Sequence, residues 1–126
     1  ILGTTIFASP LYWGVIDNPP ADRQAEMKAF YAMIAPYRRK FQKYLTISEG
    51  EMPMKGTWSA IVSVAPDYSE GFIAVYRNGA ENAEYEFDLP FGQSVRKIFG
   101  GGSAVVEGSK LKAVLPEEYS CALYQF

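Results

Sequence analysis

Between Ala21 and Leu45 the apolar residues Met27, Phe30, Ile34, Tyr37, Phe41 and Tyr44 recur three and four apart, which sets them on one face of a helix. Pro36 lies inside this stretch. A proline there removes a hydrogen bond and crowds the preceding turn, so a kink at Pro36, or two helices meeting there, is expected. Asn18 suits the N-cap and Pro19 the first helical position, where a missing N–H is harmless. Ahead of the helix, Thr4 to Leu11 reads as a short extended segment, and Leu11 to Ile16 continues it as a dense apolar patch.

From Thr46 the period changes to two. Trp58–Ala65, Gly71–Arg77, Glu84–Leu89, Ser94–Phe99, Ala104–Glu107, Lys110–Leu115 and Tyr119–Phe126 are expected strands, separated by Gly, Pro, Asn and Asp. Asn78-Gly79 is the strongest hairpin signal and predicts direct pairing of the strands on either side. Gly108-Ser109 predicts a second two-residue hairpin, and Gly100-Gly101-Gly102 a flexible turn. In Glu84–Leu89, Tyr85, Phe87 and Leu89 alternate with Glu84, Glu86 and Asp88, giving one buried and one wet face. The expectation is an α+β chain: an N-terminal strand-like segment and a long, Pro36-kinked helix (1–45), then an antiparallel β-sandwich of about seven strands (46–126).

Composition narrows the chemistry. The chain has 126 residues, 48% hydrophobic and 21% charged, which is ordinary for one folded domain. A net charge of -2 argues against nucleic acid, since phosphate binding needs a basic patch. The run Arg38, Arg39, Lys40 and Lys43 complements a helix C-terminus instead. No apolar stretch approaches the roughly 18 residues needed to cross a bilayer, so no membrane partner is expected. The absence of His removes Ser-His and Cys-His hydrolase arrangements and argues against a catalytic zinc. Cys121, the single cysteine, sits in an apolar run and reads as a buried structural thiol. No metal or other cofactor is called for, and no motif assigns a compartment. The opening Ile-Leu-Gly-Thr-Thr, with neither Met nor a basic leader, reads as a cut end.

Three groups are candidates for function. Glu84 and Glu86 are two apart on a strand, near a glycosidase carboxyl spacing, but such neighbours point the same way and cannot flank a bond. Trp58, Tyr76 and Phe91 offer a sugar-stacking platform, with core packing as the competing role. Asp17 follows an apolar strand and precedes a helix, where α/β barrels carry functional loops, and Trp13 beside it is placed to wall a pocket. A helix-start role for Asp17 competes with that reading.

Ala8-Ser9-Pro10-Leu11-Tyr12-Trp13-Gly14, the Pro-marked helix start, Met27 and Pro36-Tyr37 resemble the last β/α unit of a catalytic barrel in the α-galactosidase (melibiase-like) clan of glycoside hydrolases. Gly71-Phe72-Ile73-Ala74-Val75-Tyr76-Arg77 resembles that clan's sandwich strand ending in an aromatic and Arg. Lys112–Pro116 and Ala122–Phe126 resemble the closing strands. The resemblance implies the C-terminal part of a retaining hydrolase whose two catalytic Asp residues lie in an absent barrel, so no catalytic residue is assigned here. It places Trp13 and Gly14 at the rim of the substrate pocket, in contact with substrate at most. The implied partners are the missing barrel and the parent's carbohydrate substrate. Self-association through Leu11–Ile16 and the helix stripe is expected if the barrel is lacking. A non-catalytic carbohydrate-binding module and a structural interaction domain are the alternatives.

Overall fold

The computed structural model describes residues 6–8, 20–92 and 94–126. The chain divides into two compact units, Ile1–Lys43 and Tyr44–Phe126. The architecture is α+β, with one helical region and eight antiparallel strands in two sheets among the described residues.

In the first unit, helix α1 spans Ala21–Ile34, a 3₁₀ turn follows at Ala35–Tyr37, and α2 spans Arg38–Phe41. The break falls at Pro36, as its missing donor dictates. Phe30, Ile34 and Phe41 of the apolar stripe are buried. The helical region ends at Phe41, short of the expected Leu45, because Leu45 already belongs to a strand. Its N-cap position falls on Pro20, not Asn18, and the Gln24 N–H donates to the Pro20 carbonyl at 3.0 Å. Of the expected extended segment, Ile6, Phe7 and Ala8 are described, and they form a turn and a bend. A strand needs a ladder partner, and every described ladder lies beyond Tyr44. Phe7 instead packs edge-on against Phe41 at 4.9 Å.

The second unit holds β1 (Leu45–Gly50), β2 (Thr57–Val64), β3 (Gly71–Asn78), β4 (Glu84–Asp88), β5 (Arg96–Gly100), β6 (Ser103–Glu107), β7 (Lys110–Val114) and β8 (Tyr119–Gln125). A five-stranded sheet runs β1-β2-β3-β8-β5 and a three-stranded sheet runs β4-β7-β6. β1 is the strand beyond the expected seven. It pairs with β2 along its whole length, from Leu45 opposite Val64 to Gly50 opposite Ser59. Its polar, partly exposed edge-strand character hid it from a search for apolar runs.

The Asn78-Gly79 hairpin does not form. β3 has β2 on one side and β8 on the other, so no ladder edge remains for β4, which crosses to the opposite sheet and pairs with β7. Gly79 keeps a positive φ of 77°, while Asn78 stays in the strand without one. The expected hairpin at Gly108-Ser109 does form, with Glu107 opposite Lys110 and Gly108 at φ 62°. Gly100-Gly101-Gly102 carries the chain from one sheet to the other under close confinement. A Cβ on Gly102 would stand 1.9 Å from the Val114 carbonyl oxygen.

The core between the sheets is made by alternate residues of five strands: Trp58, Ala60, Val62 and Val64; Ile73 and Val75; Phe87; Leu111 and Ala113; Ala122 and Tyr124. On the opposite face of the five-stranded sheet, Ser63, Phe72, Ala74 and Leu123 are also 0% exposed. β3 is thus screened from water on both faces, which explains its unbroken apolar run from Phe72 to Tyr76. The outer face of the three-stranded sheet is wet, with Glu84, Glu86, Asp88 and Lys110 exposed.

Candidate functional site

Trp13, Gly14 and Asp17, together with the patch Leu11–Ile16, lie outside the described residues. The aromatic trio does not assemble. Trp58 is buried between the sheets, stacked on Tyr85 at 6.0 Å, with its indole N–H donating to the Asn82 carbonyl at 3.0 Å. Tyr76 is buried on the other face of the same sheet, where lost hydration, and then the neighbouring Cys121, push its hydroxyl pKa upward. Phe91 stacks on Tyr68. The β2–β3 register sets Trp58 opposite Arg77 and Tyr76 opposite Ser59, so alternation puts the two rings on opposite faces and no flat surface contains both.

Glu84 and Glu86 line an open depression of about 320 Å³ with Asn82, Tyr85 and Lys112. They project from one strand face toward the cations of β7. Lys112 approaches Glu84 at 3.9 Å and Lys110 pairs with Asp88 at 2.5 Å. The Lys110 pKa is raised by its hydrogen bond to Asp88 and by that carboxylate's charge. Two carboxylates side by side, with lysine across the ladder, cannot bracket a glycosidic bond from opposite sides. Their role here is cross-strand charge pairing on a wet face. Burial raises the Cys121 thiol pKa, which disfavours the thiolate a nucleophile requires.

The loop between β2 and β3 carries features that periodicity did not single out. The Ala65 N–H donates to the Glu70 carbonyl at 3.0 Å, and the Tyr68 N–H to the Ala65 carbonyl at 2.8 Å. Ser69 donates to Asp67 Oδ1 twice, through its N–H at 3.1 Å and its hydroxyl at 2.7 Å. These bonds hold the Asp67 pKa below the usual carboxylate value. Tyr68 has φ 59°, among the described residues the one non-glycine in the left-handed region. Its ring lies parallel to Phe91 at 4.8 Å and 13°, and the residue is 49% exposed. At the end of the same loop, Glu70 accepts a hydrogen bond from the Tyr44 hydroxyl. Pro66-Asp67-Tyr68-Ser69 marks a turn in the sequence, and Asp-x-Ser is an Asx-turn signal. Nothing in it announces a tyrosine at positive φ.

A second cluster is internal. Arg77, 5% exposed, donates Nε to Ala80 at 2.8 Å and Nη1 to Leu115 at 2.9 Å and Pro116 at 2.7 Å, with Nη2 to Glu81 at 2.9 Å. All four acceptors are backbone carbonyls, on the crossover after β3 and the segment after β7. This guanidinium is committed to the fold and has little left for a ligand. Among the described residues, no group of three or more Cys, Asp or Glu side chains is placed to hold a metal, and no helix is long and apolar enough to cross a membrane. Compared with known proteins, the chain matches no family model, no curated protein and no solved structure.

Proposed function

We propose that this chain is the accessory C-terminal part of a glycoside hydrolase similar to the α-galactosidase clan, its sandwich supporting a catalytic barrel and itself doing no chemistry. The observation that supports this reading is the asymmetry of the sandwich. Its three-stranded sheet turns Glu84, Glu86 and Asp88 to water, as a free antiparallel sheet does. Its five-stranded sheet instead carries the apolar Phe72, Ala74 and Leu123 on the face away from the core. A sheet whose outer face is built of apolar side chains is suited to lie against a further structural layer, which is the role of a buttress.

The test has two parts. Incubated with nitrophenyl glycosides, the chain releases no nitrophenol; robust turnover would overturn the accessory role. Sequencing the gene upstream of Ile1 should reveal several hundred residues of alternating strand and helix patterns with two Asp at strand ends. An upstream sequence without a barrel pattern would remove the hydrolase assignment while leaving the fold untouched.

A further inference from the structure

Tyr68 is held in a conformation that its own burial does not justify. A positive φ crowds the Cβ of any L-residue against the backbone, and for a bulky side chain it is a true outlier. Such a conformation persists where the surroundings over-determine it, and here the loop does so through the Ala65–Glu70 and Tyr68–Ala65 backbone hydrogen bonds. A core aromatic recovers that cost by leaving water. Tyr68 remains 49% exposed, so burial does not account for it. What the strained backbone achieves is orientation: the ring lies flat on Phe91, 4.8 Å away and within 13° of parallel.

We propose that Tyr68, backed by Phe91 and flanked by Asp67, is a stacking platform for one pyranose ring of a neutral saccharide. The face of an aromatic ring carries partial negative charge, and the axial C–H bonds on the apolar side of a pyranose are polarised positive, so the two flat surfaces attract. Phe91 prevents the Tyr68 ring from turning edge-on, which pre-organises the surface. Asp67 supplies polar recognition. Both donors of Ser69 take Oδ1, which fixes the carboxylate in place as an acceptor for a sugar hydroxyl. The obvious rival is a quaternary ammonium, which the test includes as a competing ligand. A cage for that cation needs aromatic walls set at angles around it, whereas two parallel rings offer a single flat face. The site stands on the sandwich alone and does not require the chain to belong to a hydrolase.

The test is an NMR titration of the 126-residue chain with raffinose, cellohexaose and maltohexaose, and separately with tetramethylammonium chloride. At least one saccharide should produce saturable shifts of the Tyr68 and Phe91 rings and of the Asp67 to Ser69 amides. Tyr68→Phe keeps the ring and should keep binding. Tyr68→Gly removes the ring while relaxing the positive φ, so the loop survives, and should weaken binding by roughly tenfold or more. Asp67→Asn should weaken it several-fold. The proposal is overturned if no saccharide shifts these resonances, if binding survives Tyr68→Gly, or if tetramethylammonium alone binds.

Discussion

Replacing Arg77 by Met tests whether the two crossings between the sheets are tied together by one side chain. Four carbonyl oxygens lose their donor in this variant. Two bonds, to Ala80 and Leu115, are buried, and two, to Glu81 and Pro116, are partly reached by water. An orphaned buried acceptor costs about 1–3 kcal/mol, so the first pair sets a loss of roughly 2–6 kcal/mol. Removing a buried charge and burying the Met chain in its place offset part of this. The expected net destabilisation is about 3 kcal/mol. For a domain of this size that corresponds to a fall in Tm of roughly 12–24 °C. Urea denaturation followed by far-ultraviolet circular dichroism measures it directly. Arg77→Lys keeps the charge but concentrates its donors on one nitrogen, which cannot span both segments, so about 2 kcal/mol should still be lost. A change below about 1 kcal/mol for Arg77→Met, or wild-type stability for Arg77→Lys, would refute the clasp.

Two further expectations use the same kind of measurement. Gly102→Ala drives a Cβ to 1.9 Å from the Val114 carbonyl at φ 66°, whereas Gly108→Ala meets open space at φ 62°. Thermal denaturation should show a loss of about 3 kcal/mol or more for the first, but only about 1 kcal/mol for the second; equal losses would mean that conformational strain, not the sheet contact, governs both. Tyr44 has its pKa pushed up to about 12 from 10.0, first by lost hydration and then by its hydrogen bond to Glu70 and the charges of Glu70 and Asp67. Folding therefore favours the protonated phenol, and the resulting stability is complete below pH 10.0 and lost as the pH rises toward about 12. Tyr44→Phe should flatten that alkaline decline in urea midpoints, and an unchanged slope would show that the Glu70 contact carries no linkage.

Local chemistry was enough to determine the helix and seven of the strands, but not the polar edge strand β1. A three-and-four spacing makes Phe30, Ile34 and Phe41 the buried side of a helix, and a proline in that helix breaks it wherever it lies. Period-two alternation in Tyr85, Phe87 and Leu89 against Glu84, Glu86 and Asp88 sets inside from outside, and Gly108-Ser109 closes a hairpin between strands that have free edges for each other. Asn78-Gly79 carried an equally strong local signal and failed, because pairing is decided by which ladder edges remain open, and both edges of β3 were taken, one by the preceding strand β2 and the other by β8, far along the chain. The same limit applies to chemistry. That Arg77 is a buried clasp, that Trp58 and Tyr76 face apart, and that Tyr68 is held flat against Phe91 all depend on segments far from each residue in the chain. Sequence spacing encodes which way a side chain points from its own backbone. Only the tertiary structure supplies what it meets there.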